Sequence, residues 1–501
     1  MMVVRLFRAL AALAVAAGAA VVARKAMHRP HQGWKRRCAL VAVAAAVAVL
    51  AAPAAAWAPA NQPIGLVNYP RPADFPMYVT PQLTQSCINH GLLPDCGGEP
   101  SIGVDRFTKN AMLQMMLTTA RVRWDDTHSP PTATWENVSD TEFITTGDPF
   151  LWTDPATGRS FELQLRGFGG QVAFTDDDGA SWSPIVVVQT PQPDHPTLAT
   201  GPYHQPAPPG AGTVYPNAVY YCARGGAPVG TLVSYCRRSD DGGVTWGPAT
   251  LMNPGQADCW FPNAGHVTVG LDGSVYVPHK WCGGQQGVFI SRDNGQTWAL
   301  RKVPGTLSTD RNFSSEPKVA FDGAGRLYFV ASSNGKPLVV TSDDGGEHWA
   351  PPVEVGKAFG IQATEFPVVV AGDAGRAAFA FLATTTPGQS ENEHFEGVWH
   401  LYVASTLDGG ASWDTVNATP QDPVQRGCIS FNLDGFCDKR NLLDFNDMTV
   451  DAEGRVLVAY TDGCVSETCV GPNGTPDDSR ASQYVIARQW SGRRLFAAFD
   501  P

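Results

Sequence analysis

The chain has 501 residues, 43% of them hydrophobic and 17% charged, with 51 Gly and 40 Pro. Its charge content is below the roughly 25% of an average globular chain, which argues against a solvated disordered polymer; Gly and Pro spread along its length exclude long helical bundles and coiled coils. A net charge of −11 argues against binding nucleic acid through a basic face.

In chain order, the first segment is residues 1–58, which hold eight Lys/Arg and no Asp or Glu. Cys38 to Ala58 is apolar, follows Lys35-Arg36-Arg37 and ends in small residues at Ala54, Ala56 and Ala58. A basic start, an apolar middle and a small-residue end read as a secretory signal. A second apolar run, Ala9 to Ala23, leaves two readings open: a start at Met27 with cleavage after export, or a signal anchor, which would be the chain's sole tie to a membrane. Residues 59–98 are Pro-rich and polar and read as a lead-in segment before a domain spanning 99–501.

Beyond Cys38 there are ten cysteines in short local pairs. An even number so spaced reads as a disulfide set in an oxidising compartment rather than a zinc site. Nearest-neighbour pairing gives 87–96, 222–236, 259–282, 428–437 and 464–469.

One motif recurs five times: TDDDGASW from Thr175, SDDGGVTW from Ser239, SRDNGQTW from Ser291, SDDGGEHW from Ser342 and TLDGGASW from Thr406. Chance would supply about 0.001 to 0.01 copies in such a chain, so this is a repeat architecture. The side chains of Asp177, Asp241, Asp293, Asp344 and Asp408 suit hydrogen bonding to a tight hairpin, and Gly supplies its positive φ. Trp182, Trp246, Trp298, Trp349 and Trp413 follow the turn and suit capping between sheets. Calcium binding by these turns is the weaker reading, because no copy has the ladder and distal Glu of a calcium loop.

Each unit opens on a short step into an apolar strand: Glu99-Pro100, Asp148-Pro149, Tyr215-Pro216, Phe261-Pro262, Glu316-Pro317, Phe366-Pro367 and, without Pro, Asn446-Asp447. Four short strands per unit and seven units predict an all-β fold, a seven-bladed β-propeller of four-stranded antiparallel blades. Six or eight blades stay open, since the stretches 183–214 and 383–398 have room for hidden strands.

These five motifs resemble those of the sialidase-like Asp-box (BNR repeat) proteins. EPSIGVD, CGGQQGVFISRDNGQTW, RNLLDF and RRLFAAFDP are similar to segments of secreted bacterial proteins labelled exo-α-sialidase. The resemblance implies a propeller with its Asp boxes at the blade periphery and a glycan or glycoconjugate as partner. It implies a glycoside hydrolase, or a non-catalytic propeller that binds glycans or proteins. Glu99-Pro100-Ser101-Ile102 stands where sialidases carry Arg-Ile-Pro, and neither Tyr460 nor Arg440 lies in a matching motif, so no catalytic residue is carried over.

Candidate site residues therefore come from propeller geometry, in which blade openings face the central mouth. Glu99, Asp148, Glu316, Glu365 and Asp447 would form an acidic funnel able to supply an acid and a base for glycoside hydrolysis. Asp194, His195, His266 and Trp281 are candidates for substrate binding. Trp260, Trp281, Trp399, Tyr203 and Tyr215 are expected in or near loops, with two readings open: plugs at blade interfaces, or sugar-stacking platforms. No cofactor is expected, with a divalent cation on the mouth carboxylates as the alternative, and the chain is expected to be a monomer.

Overall fold

The computed structural model describes residues 63–501 apart from 90–96, 167–168, 190–192, 227–231, 253–258, 260–263, 309–314, 389, 391, 430–436, 438–440, 472 and 477–480. The expected leader, the Cys87–Cys96 pair, Trp260 and Arg440 fall outside the described residues.

Seven antiparallel sheets follow one another along the chain, each ordered from inside to outside. Their innermost strands are Ser101–Val104, Pro149–Thr153, Asp194–Gly201, Thr268–Val269, Lys318–Phe321, Ala363–Ala371 and Asp447–Val450; they open blades 1 to 7. Contacts between successive blades run from the first blade round to the last and back to the first, closing a ring. The fold is a seven-bladed β-propeller. Its one α-helix among the described residues is Pro81–Asn89, which Thr80 starts by accepting the Leu83 N–H at 3.1 Å.

The inner strands explain why the sequence reads as apolar runs. They are packed on both faces, so alternation is lost; the second strands, such as Ala377–Thr384 and Leu327–Ser333, are buried at every position. Pro149 begins its strand, where no ladder donor is lost.

Two differences from the sequence reading have clear causes. The third blade opens at Asp194, not at Tyr215-Pro216, which precedes its second strand, Ala218–Gly226. A long, Pro-rich connection separates these two strands and displaced the expected opening. The seventh blade takes its outermost strand from the segment read as a lead-in: Gly65–Pro70 pairs antiparallel with Gln483–Ser491. The ring is thus closed by its own N-terminal strand, which pairs with the chain's last strand and ties the two ends of the propeller together.

Four of the expected disulfides are present: Cys222–Cys236, Cys259–Cys282, Cys428–Cys437 and Cys464–Cys469.

All five Asp boxes form the turn between the third and fourth strands of blades 2 to 6. In each, the Ser/Thr hydroxyl donates to Asp Oδ1 at 2.8–2.9 Å and accepts the N–H of the Gly four residues on. The same Asp Oδ1 accepts the backbone N–H four residues later at 2.8–3.0 Å. Two successive residues at each tip have positive φ, as at Asn294 (61°) and Gly295 (80°). That is why the motif admits only Asp, Asn or Gly and then Gly there. The indole bridges blades, as expected: Trp182 Nε1 donates to Val138 O at 2.8 Å and Trp298 Nε1 to Thr250 Oγ1 at 3.3 Å.

Candidate functional site

Topology separates the two ends of the ring. The turns after the innermost strands meet the Asp boxes of the next blade: Arg159 donates to Gly242 O and Arg326 to Gly409 O. The starts of the innermost strands are therefore at the opposite end, the mouth.

There His195 gathers four carboxyl groups. Its backbone N–H donates to Asp148 Oδ2 at 3.1 Å. Its ring Nδ1 is 3.5 Å from Glu316 Oε1, and its Nε2 is 3.9 Å from both Asp194 Oδ1 and Asp444 Oδ2. Arg224 Nε ion-pairs with Asp194 Oδ2 at 2.7 Å. His195 sits at φ 47° directly before Pro196, a conformation that a residue preceding proline avoids and that costs about 1–3 kcal/mol. Glu99 (φ 51°), Phe366 (52°) and Leu443 (55°) are bent the same way. The backbone is strained where the innermost strands begin, and packing around the channel holds it there.

The electrostatics split the carboxyls. Burial pushes Asp148 up to about 7, reinforced by the charge of Asp194 and opposed by His195. Asp194 is also raised by burial, but His195, Arg224 and a hydrogen bond from Asp148 outweigh this and hold it at about 2. His195 is raised: burial opposes its charge, and Asp194 and Glu316 more than compensate. Between pH 5 and 6 the arrangement is a protonated Asp148 beside an ionised Asp194 and an imidazolium.

Deeper in the axis lies a channel cavity of about 270 Å³. Three polar groups stand at its mouth end: Lys318, His266 and Asp447. His266 is packed edge-on between Phe150 (4.8 Å) and Phe445 (4.9 Å); burial, then the charges of Lys318 and His195, hold it well below its usual range. Asp447 Oδ2 accepts the Ile102 N–H at 3.0 Å, yet burial still pushes the carboxyl up to about 7. Burial lowers Lys318 to about 8 against the attraction of Glu316 and Asp447.

The structure thus brings Asp148, Asp194, His195 and Glu316 into one group, and His266 and Asp447 into a second just below. Glu99 (2% exposed) and Glu365 (3%) are buried at blade starts, and Glu365 accepts a hydrogen bond from Ser315 Oγ. Of the two readings of the aromatics, the structure places these as plugs and not as platforms: Tyr203, Tyr215, Trp281 and Trp399 are all 8% exposed or less. Trp399 Nε1 donates to Gly427 O inside blade 6, Tyr215 OH to Asp154, and Trp281 is tied by its backbone N–H to Ser308 Oγ. Indoles and phenols in a Gly-rich propeller fill the wedges between blades before they serve solvent. Among the described residues no group of three or more His, Cys, Asp or Glu side chains is arranged to hold a metal ion.

Sequence reasoning missed Asp444, Arg224 and Lys318. Asp444 lies in RNLLDF, a segment quoted for its resemblance, and Lys318 stands two residues after a selected Glu. Arg224 has no sequence signal, because it reaches the mouth from a second strand.

Among known proteins, the BNR/Asp-box repeat model matches residues 289–300, the third copy of the motif. No curated protein matches the chain. Similar solved structures include the NanB sialidase of Streptococcus pneumoniae, 10% identical, covering 77% of this chain and 82% of that one with a TM-score of 0.42. A lectin of Burkholderia pseudomallei is 10% identical, with coverage of 79% and 97% and a TM-score of 0.46. A Dyadobacter fermentans protein of unknown function is 15% identical, with coverage of 78% and 94% and a TM-score of 0.40.

Proposed function

We propose that this protein is an exported Asp-box propeller that hydrolyses a glycosidic bond at its mouth. The observation that carries the reading is the gathering of Asp148, Asp194, Glu316 and Asp444 around His195, in which burial and Asp194 raise Asp148 to about 7 while His195 and Arg224 hold Asp194 ionised. A carboxylic acid kept neutral near pH 7 is what protonation of a leaving glycosidic oxygen requires. Asp194 keeps that proton on Asp148, because two adjacent carboxyls do not both ionise.

The two groups of this pair touch, so they are closer than the roughly 5 Å that separates the carboxyls of a retaining enzyme. The second reacting carboxylate is therefore Asp444, across the imidazole of His195, where it can take the proton of an attacking water. His195, charged and flanked by Glu316, fixes the spacing. Four disulfides support an oxidising, extracytoplasmic setting.

The test is hydrolysis by the purified mature chain of a sialoside and a panel of aryl glycosides. Release from at least one substrate, lost in Asp148→Asn, supports the reading. Silence across the panel with retained binding to a glycan array contradicts it and favours a binding propeller.

A further inference from the structure

We infer that the throat below the His195 cluster is a subsite for a single uncharged, hydroxyl-rich ring, gripped by Lys318. This rests on the proposed action on glycans, whose identity it narrows. The channel cavity measures about 270 Å³, just under the roughly 300 Å³ at the lower end for drug-sized ligands, which suits one ring and not a chain. Its wall is apolar: Ile102, Val104, Phe150, Val319, Phe321 and Val368. A mostly apolar pocket with a few convergent polar groups is the usual form of a small-ligand site.

Three of those polar groups, Lys318, His266 and Asp447, are at the mouth end, while the exposed Arg106 lines the turn end and Thr200, Thr268 and Thr449 add hydroxyls along the wall. Lys318 is 6% exposed and lines the cavity. Among the described residues it makes neither a hydrogen bond nor an ion pair within 4.0 Å; the Phe445 ring lies 5.9 Å from its Nζ. An ammonium carries three donors and no acceptor, and leaving them unmade in a buried site is costly. Asp447 Oδ1 stands 3.9 Å from His266 Nδ1, a gap that one hydroxyl can bridge. A donor, an acceptor and an imidazole beside the aromatic edges of Phe150 and Phe445 match the mixed hydroxyl and C–H surface of a neutral sugar. At the Lys318 end a fully anionic ring fits less well, because Glu316 and Asp447 already attract the ammonium, and the other cation of the lining, Arg106, is at the opposite, turn end and exposed.

The experiment uses the whole mature protein. Methyl glucopyranoside, galactopyranoside and mannopyranoside are titrated by calorimetry and saturation-transfer NMR, with methyl glucuronopyranoside as the charged comparison. At least one neutral pyranoside should bind, about tenfold more tightly than the glucuronoside, and Lys318→Met should weaken it about tenfold. As a check that does not depend on the variant folding, the ¹³C-dimethylated Lys318 signal of the wild-type chain should shift on adding that pyranoside. Equal binding by Lys318→Met, tighter binding of the glucuronoside, no binding of any pyranoside, or an unmoved Lys318 signal would each overturn the inference. Binding without hydrolysis leaves the subsite standing and removes the hydrolase reading. Hydrolysis with an unchanged KM in Lys318→Met does the reverse.

Discussion

The same side chain serves opposite ends of this propeller in opposite charge states. At the turn end, Asp344 is held at about 2 by the backbone and side chain of His348 and by Ser342, and Asp177, Asp241, Asp293 and Asp408 are all lowered by the donors of their own hairpins against the cost of burial. At the mouth, Asp148 and Asp447 are raised to about 7 by burial that their fewer donors do not offset. Whether an Asp here is held ionised or kept protonated depends on the number of donors aimed at it, which the hairpin supplies locally and the channel does not.

The largest expected effect is on chemistry. Asp148→Asn should lower kcat/KM on any glycoside that the wild type cleaves by about 100-fold or more, in keeping with loss of a general acid, while leaving the melting midpoint nearly unchanged. A loss below about tenfold would make Asp148 a bystander. The rim should respond the other way. Asp293→Ala removes the acceptor of four hydrogen bonds from Ser291, Gln296 and Thr297; urea melts should show a loss of about 2–4 kcal/mol, with activity per folded molecule retained.

pH sharpens the contrast. Raised folded-state values at Asp148 and Asp447 make the folded chain bind more protons than the unfolded chain between about pH 4 and 7, so their contribution to stability grows as pH falls through that window. His195, also raised, acts in the same direction. The lowered rim carboxylates do the opposite: the stability they confer is full above about pH 4 and is lost as pH falls toward 2. The buried neutral imidazoles of His266 and His279 oppose this, since they lose stability as pH falls through about 6.5, but four buried carboxyls, Asp148, Asp447, Glu162 and Asp462, are raised to about 7–8; thermal melts should therefore peak near pH 4–5, and Asp447→Asn should flatten the rise between pH 7 and 5 without moving the acid limb. A curve that falls steadily from pH 7 would break the comparison.

The smallest effect is expected at the fourth copy's own exception. His348 occupies the Ser/Thr position of the fourth motif and reaches Asp344 Oδ2 at 2.6 Å from a largely exposed ring. His348→Ser restores the consensus contact, and stability should change by less than about 0.5 kcal/mol.

Much of this fold was legible because its defining contacts are local. Each Asp box closes on itself within eight residues, so five copies announced the blades, and Cys222–Cys236 joins partners facing each other across neighbouring strands. What escaped was long-range. Gly65–Pro70 has no motif and finds its partner strand at the other end of the chain. Asp194 was separated from its own blade's second strand by a Pro-rich connection. The mouth was half legible: Asp148 and Glu316 could be chosen because blades were expected to open there, and His195 because its long insert could fold over the mouth, whereas Arg224 and Asp444 arrive from a second strand and a connecting loop. Protonation was not legible at all, since it depends on burial and on which donors the ring brings together.

The most direct measurement is a carboxyl ¹³C NMR titration of the mature chain labelled at Asp, repeated in Asp148→Asn. The account predicts near-neutral resonances from Asp148, Asp447 and Asp462, of which one near pH 7 disappears in the variant, with the five hairpin aspartates titrating below the usual range for the side chain. A spectrum in which every aspartate titrates below pH 5, unchanged in number of near-neutral signals by the substitution, would contradict it.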